Sequence, residues 1–447
     1  MRSTLIGCWV VVLLVGAAVP ARAQFSFDAR RIGMGGLSLT RDGNLRRYNP
    51  AYRAVPDHRG VGGGAKLTIP IPLGVLQALK DSAAFDVHAS YFNAIELANK
   101  VLNPPLYLEV KKAPIPTNDV TFTVGRNALV VDLGSARRLV PTDEIGIGGS
   151  SRFFDIGPTI KGVHIGVLAF LQEDAGITLG DTLRDFLRNA DSARVRTRYF
   201  VNVDGKGQGG FAPTISYAGR LAGGAPDSDD GFYVGGALHY YFGVAFARAT
   251  GIDGFRTGDT LFAGSNPVKP TVDDTIYTSN RIGKQFGRGV GGDVGFAYVA
   301  GPVELGVGVN DIGARLTWKD TEVRRVFYAT DSNTVRDSVI QNHIESHTKL
   351  PVSYIANIAY RMGQGITLGA DIVDNGRGTA EHVGAEVRFG PLAVRGGVAR
   401  DTRKKVEFGT GAGLRFGPFG LDVGFWTHSN SLSNARGITM ATSLSIY

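Results

Sequence analysis

Cysteine is almost absent from this chain of 447 residues: Cys8 is the only one. Residues 1 to 23 read as a signal peptide, with Arg2 in the n-region, an apolar stretch from Leu5 to Val19, and Ala21-Arg22-Ala23 as a small-x-small cleavage site. Leu5-Ile6-Gly7-Cys8 mimics a lipoprotein cleavage box, but its hydrophobic stretch follows the cysteine instead of preceding it. The mature chain therefore has no cysteine, which excludes a disulfide framework, a Cys-ligated metal and a thiol nucleophile. Long apolar runs are missing as well. Beyond residue 23 none approaches the ~20 residues of a membrane helix, and the mean hydropathy is 0.00. Transmembrane helices are excluded on that ground, whereas a transmembrane barrel is not, because its strands hide apolar residues by alternation. There is no Lys/Arg block of the kind that meets nucleic acid. Losing Arg2 and Arg22 with the signal peptide takes the formal charge from +8 to +6, spread along the chain.

Glycine is abundant, with 62 in 447 residues, about twice the usual ~7%, and it is scattered through alternating runs. Val352, Tyr354, Ala356, Ile358, Tyr360 and Met362 share one face of a strand whose other face is Ser353, Ile355, Asn357, Ala359 and Arg361. The pattern repeats at 366–372, 382–389, 392–398, 406–416 and 438–446. Side chains of a strand point alternately to opposite faces, so each of these has one apolar face and one of glycine, small polar and charged residues.

A soluble sandwich would turn the apolar faces inward, and an outer-membrane barrel would turn them to lipid. Three features favour the barrel. The polar faces carry charges of both signs, namely Arg361, Asp371, Glu386, Arg388, Arg395, Glu407, Arg415 and Asp422, which are candidates for a network paired across a lumen. The chain stops on a strand ending Ile446-Tyr447. Short and long connections alternate: tight turns at Gly301-Pro302, Gly363 to Gly365, Gly390-Pro391 and Gly417-Pro418, against polar stretches at 251–287, 320–349, 374–380, 400–405 and 429–436. Short periplasmic turns and long external loops explain that sorting. Gly157-Pro158 is expected to be one more turn at the tight rim.

The expected fold is all-β, a transmembrane antiparallel barrel with an N-terminal hatch and short helical inserts. A strand-by-strand reading finds fifteen segments between Gly60 and Tyr447, one off the even parity of single-chain bacterial barrels, so about 14 strands, 14 to 16, are expected. Residues 24–58 form the hatch and 59–447 the barrel, with helical spacing near 74–103 and again at 179–190, where Leu179, Leu183, Phe186, Leu187 and Ala190 share a face. The two helices are expected to cover or plug the mouth.

The hatch expectation rests on "GMGGLSLTRDGNLRRYNPA", residues 33–51. A lumen ringed by about fourteen strands passes water unless something fills it. Gly33, Gly35 and Gly36 let backbone approach a crowded wall, and the charges at Arg31, Arg41, Asp42, Arg46 and Arg47 can pair with lumen groups. This segment resembles the N-terminal signature of the long-chain fatty-acid transporter (FadL-like) superfamily, with Asp42-Gly43-Asn44 and Asn49-Pro50-Ala51 as the matching residues. "GVNDIGARLTW", "KLPVSYIANIAY" and "HVGAEVRFGPLAVRGGV" resemble the PorV/PorQ branch of that superfamily. The chain departs from the signature at Tyr52, where glycine is usual. The resemblance implies a hatch and a 14-stranded barrel. It also implies passage of hydrophobic molecules through kinks in the wall or, in the PorV branch, docking of secreted proteins.

Other chemistry is weaker. His343-x-x-x-His347 has the i, i+4 spacing of a zinc pair but sits in a polar stretch without the HExxH order, so no metal is expected. Asp227-Ser-Asp229-Asp230-Gly231 lacks the Glu of a calcium loop, Gly205 to Gly210 lacks a phosphate-binding Lys, and no GxSxG elbow occurs. No cofactor and no enzymatic activity are expected. Tyr233, Tyr241, Tyr354, Tyr360, Trp318 and Trp426 are candidates for interfacial girdles. The functional expectation is an exported outer-membrane channel of a Gram-negative-type bacterium. Its partners are membrane lipid and a hydrophobic small molecule, the alternative partner being a secreted protein; Gly33, Gly35, Gly36, Asp42, Asn44, Asn49 and Pro50 serve as hatch residues. Pro213, inside a strand-like run, marks a candidate for broken pairing in the wall.

Overall fold

The computed structural model describes residues 29–37, 43–56, 67–71, 107–108, 121–125, 128–133, 140–142, 144–189, 192–225, 228–259, 261, 268–280, 285–329, 334–363, 365–376, 378–400, 406–427 and 438–446. The signal peptide and the stretch near 74–103 lie outside the described residues. Two short helices, α1 (Ala29–Gly33) and α2 (Gly43–Arg46), and a 3-10 turn at Pro50–Arg53 make up the N-terminal segment.

The wall begins with β1 (Leu67–Ile71) and the two-residue β2 (Tyr107–Leu108); a separate hairpin pairs β3 (Thr121–Gly125) with β4 (Ala128–Asp132). Next come β5 (Ile145–Ile156), β6 (Thr159–Ile160), β7 (Val163–Leu179), helix α3 (Asp181–Asn189), β8 (Arg198–Ala222) and β9 (Gly231–Thr257). They are followed by β10 (Val268–Ser279), β11 (Gly287–Ala300), β12 (Val303–Ala329), β13 (Thr334–Lys349) and β14 (Ser353–Met362). The chain closes with β15 (Ile366–Asp374), β16 (Thr379–Phe389), β17 (Leu392–Arg400), β18 (Val406–Phe416), β19 (Phe419–Thr427) and β20 (Ile438–Ile446). Every pairing is antiparallel, running from β5 through β20, and β20 pairs in turn with β1.

Three pairs of strands are single wall positions interrupted along their length. β5 and β6 both pair with β7, β10 and β11 both lie between β9 and β12, and β13 and β14 both pair with β12. Of the eighteen strands in the sheet, joining these three pairs and setting aside β2 leaves fourteen wall positions among the described residues.

The alternation is oriented as a membrane barrel requires. Val394 and Leu414 are 45% and 46% exposed, while Arg395, next to Val394 in sequence, and Glu407, on the same strand as Leu414 but of opposite phase, are both 5% exposed. Exposed Ile165, Ile215, Leu238, Phe296, Leu305 and Ile372 continue the outward apolar belt around the sheet. The inner face of one side of the sheet, β17 to β20, touches α1, and the inner face of another, β8 to β12, touches the 3-10 turn. A sheet that presents both inner faces to one short segment is wrapped around it. The protein is an all-β antiparallel barrel.

The tight rim is built by glycine. Gly301, Gly390 and Gly417 have φ of 54°, 59° and 58°, the left-handed region that two-residue hairpin turns need at their first central position, and Gly363, φ 60°, opens the three-residue link between β14 and β15. Gly157-Pro158 is different from expectation: it does not turn the chain. Ile156 pairs with Val167 and Thr159 with His164 in one continuous register, and the turn comes at Lys161-Gly162, both with positive φ.

Two further expectations are corrected. The polar stretches 251–287 and 320–349 are not simply loops, because β9, β10, β12 and β13 run through them as a sheet extended beyond the apolar belt. β13 is exposed on both faces over 334–343 and β10 is half-buried along most of its length, so apolar periodicity announces neither. Of the aromatics expected at interfaces, only Tyr354 and Tyr360 face outward; Tyr233, Tyr241, Trp318 and Trp426 are buried in the interior. The outward aromatics are different residues. Phe211, Phe242 and Phe286 cluster near the extension, and Phe416 and Phe419 lie at the tight rim. Helix α3 leans on β4 and β8, where Phe186 meets Tyr199 edge-on at 5.3 Å.

Candidate functional site: the lumen and its N-terminal segment

The N-terminal segment is held to the wall by close backbone approach and by buried ion pairs. Its first hold is α1 with the turn that follows. A side chain at Gly33 would strike the backbone of Gly411, and one at Gly35, φ 70°, the backbone of Gly397 and Val398. On the wall side, Gly397, Gly409 and Gly424 face the carbonyl oxygens of Met34, Ile32 and Ala29. Glycine on both partners removes the side chains that would keep the two backbones apart. Gly36, φ 94°, fits against the rings of His382 and Trp426.

Beside these contacts Arg30 donates from Nε and Nη2 to the two carboxylate oxygens of Glu386, at 2.8 and 3.0 Å. Glu386 also accepts from Arg388 and Arg395, each at 2.7 Å, and Arg395 reaches Asp422 at 2.7 Å. Arg30 is 4% exposed and Glu386 1%. Such a carboxylate cannot be left unpaired, since breaking a buried pair costs ~3–5 kcal/mol.

The second hold is the 3-10 turn. Asn49 caps it, accepting from the Ala51 N–H at 3.0 Å while its own amide donates to the Phe296 carbonyl at 2.9 Å. Pro50 opens the turn, where the missing N–H is no loss. Gly295, Gly235 and Gly306 leave room for Asn49, Pro50 and Tyr52 respectively. The Tyr52 hydroxyl accepts from Asn357 Nδ2 at 2.8 Å, which gives the segment a further anchor on the wall. Arg53 pairs with Asp155, which also bonds His164 at 2.9 Å.

A third cluster sits deeper in the lumen. Arg152 donates from Nη2 to Asp293 and Asp311, each at 2.9 Å, and from Nη1 to the Arg47 carbonyl at 2.7 Å. His239 bonds Asp293, and the Tyr241 hydroxyl donates to Asp311 at 2.6 Å. Asp311 has φ 60° and lies where β12 slips register against β11. That irregularity turns Asn310 and Asp311 inward together, as a bulge does.

Of the candidate network, the structure brings Glu386, Arg388, Arg395 and Asp422 into one cluster. It places the others apart: Arg361 pairs with Glu304, Asp371 with His382, and Glu407 accepts from the Trp426 indole. Arg415 is half-buried on β18. Asp42 and the side chain of Asn44 lie outside the described residues. Arg30, Tyr52, Arg152, Asp293, Asp311 and His239 were not singled out by the sequence. The signal for Arg152 and Asp293 was charge on the inward phase of a strand, the same mark that picked out Arg395.

Toward the extension the lumen becomes apolar. Leu168, Phe170, Ala212, Tyr241, Phe246, Leu316 and Trp318 form one buried cluster, with Phe170 edge-on to Tyr241 at 5.1 Å and Phe246 stacked on Trp318 at 5.4 Å. Ala212 sits beside a gap in the ladder. Pairing between β8 and β9 steps from Phe211–Phe242 to Thr214–His239, so Ala212 and Pro213 have no rung on β9, and a bulge at Gly209/Gly210 lies just beyond. Pro213 stays in register with Val167 on the other side.

The extension carries its own electrostatics. The Asp274 carboxyl is pushed up to about 6 by burial, and then by Asp253 and Asp273 nearby. Asp273 itself is lowered by its hydrogen bond from Arg325.

The geometry defines an antiparallel barrel of the outer-membrane type whose lumen holds an N-terminal segment, two charge clusters and an apolar cluster against a gap in the ladder. No protein-family model matches the chain, and no curated protein matches it. Among solved structures it is similar to the toluene transporter TodX of Pseudomonas putida, at 11% identity over 72% of this chain and 94% of that one, with a TM-score of 0.31. It is similar also to the CymD monoaromatic hydrocarbon channel, at 13% identity over 72% and 93%, TM-score 0.28. A triple mutant of the Rhodopseudomonas blastica porin matches at 10% identity over 68% and 99%, TM-score 0.20.

Proposed function

We propose that this protein is an outer-membrane channel for hydrophobic small molecules, with fourteen strands in its wall and residues 24–58 as the hatch that closes its lumen. The observation that carries this reading is the meeting of the inner apolar cluster with the unpaired rungs at Ala212 and Pro213. A charged lumen solvates an apolar molecule poorly. A molecule entering from the extension finds Trp318, Phe246 and Phe170 first and a weakened ladder beside them. Phe211, Phe242 and Phe286 wait on the outer side of the same place. The route therefore runs sideways into lipid, and the hatch denies water and ions the axial route. TodX and CymD are named for aromatic hydrocarbons, a cargo of the same apolar kind.

Deleting residues 25–51 tests the hatch. Ion conductance in planar bilayers rises if the segment closes the lumen, and unchanged conductance of a correctly folded deletion refutes it.

A second reading, docking of an exported protein, is supported by β13. Among the described strands it pairs with β12 alone, and residues 335–343 are exposed on both faces. Unpaired edges of this kind are templates for another strand. Co-purification of a secreted protein that is lost when 334–349 are replaced by a short linker would favour this reading over the first.

A further inference from the structure

We infer that the lipid-facing wall carries a groove built to seat a single acyl chain of a membrane lipid, outside the lumen and apart from the proposed route. The groove crosses β9, β11, β12, β14 and β15 and has a volume of about 490 Å³. Its shape follows from the outward residues in the ladder. Phe296 pairs with Val307, Val307 with Ala356, and Ala356 with Ile372; in the next row Tyr298 pairs with Leu305, Leu305 with Ile358, and Ile358 with Ala370. Ala356 and Ala370 thus stand diagonally between larger aliphatic residues and leave a trough. Phe232 and Phe296, stacked at 6.1 Å, form one end of it.

Position names the occupant. The trough interrupts the exposed apolar belt at Phe296, Leu305, Ile358 and Ile372, so it is continuous with the surface the barrel turns to hydrocarbon. Its thirteen lining residues are too few for a partner protein, which covers ~20–30 residues a side. The trough is walled by apolar side chains, which suits a stretch of hydrocarbon chain. A chain lying there gains dispersion contacts on three sides that it lacks on a ridged wall. The inner side of the same strands holds the hatch, with Gly306 and Asn357 against Tyr52, so the groove and the 3-10 turn share a wall one strand thick.

Native mass spectrometry of the full chain purified in mild detergent tests the proposal. Wild type is expected to retain one phospholipid per barrel. Ala356→Phe combined with Ala370→Phe fills the trough and should lower retention by about tenfold, while Val394→Phe, outside the lining and two strands further along on β17, leaves it unchanged. Heat-modifiable gel migration checks that each variant is folded. A second measurement needs no variant: a phospholipid with a mid-chain diazirine should label Leu305, Ile358 and Ile372 ahead of Val394 and Leu414. Uniform labelling, retention equal in all variants, or a retained second copy of the chain in place of lipid would overturn the inference. None of these outcomes depends on transport, so the proposed channel function stands or falls separately.

Discussion

Placing a methyl group on Gly397 tests how the hatch is seated. Its Cβ would lie closer than 3.0 Å to the Met34 carbonyl and 2.8 Å from the Gly35 nitrogen, backbone atoms with no flexible end to swing aside. Reaching ordinary contact near ~3.5 Å means retreat of the Ile32–Leu37 turn by about 1 Å. Overpacking of that kind costs ~1–3 kcal/mol, and 2 kcal/mol raises the released population about 30-fold. Gly396 is the matched control, since a methyl there meets nothing within 4 Å. Amide hydrogen exchange of residues 29–37 in the detergent-solubilised barrel reads the difference. Gly397→Ala should exchange about 30-fold faster in this window and Gly396→Ala like wild type. Equal protection in the two variants would refute the close-approach argument, because both add the same methyl to the same strand.

Three further outcomes are expected. Asp293→Asn leaves Arg152 and His239 short of a buried partner and should destabilise the barrel by about 3 kcal/mol, read as a lower temperature for loss of the compact gel band; an unchanged temperature counts against the deep cluster as a structural tie. Pro213→Val supplies the missing N–H, and one restored hydrogen bond, ~1 kcal/mol, should slow uptake of an apolar fluorescent probe about fivefold; faster uptake contradicts a route at this rung. Asp274 concerns the extension: its folded pKa of about 6 exceeds the ordinary aspartate value of 3.8, so ionisation opposes folding. The penalty is absent below pH 4, grows up to pH 6 and is complete above it. After discounting for solvent screening it amounts to ~1 kcal/mol. Asp274→Asn should therefore raise exchange protection of 268–279 at pH 7 and not at pH 4, and a gain of the same size at both would refute the assignment.

Orientation was legible because lipid and lumen impose opposite chemistry on successive residues. Val394, Arg395 and Val398 declare their faces without any tertiary knowledge. The same rule failed where burial does not alternate with an apolar pattern, and β10 and β13 passed for loops although they are twelve and sixteen residues long. It also failed for aromatics. Trp318 and Tyr241 are large and apolar enough to suit the lipid interface, but they stand on the inward phase, which their immediate neighbours could have revealed. Gly157-Pro158 has the composition of a turn, and only the ladder to β7 shows the strand carrying on through it. In the N-terminal segment, Gly33, Gly35, Gly36, Asn49 and Pro50 stand out by pattern. Their wall partners do not, because Arg30 and Glu386 are separated by 356 residues and nothing local links them.

That separation bears on how the barrel is assembled. α1 rests against β17, β18, β19 and β20, strands that leave the ribosome and the export machinery long after it. Its packing is therefore completed only when the last strands are in place. The N-terminal segment is thus made first and seated last.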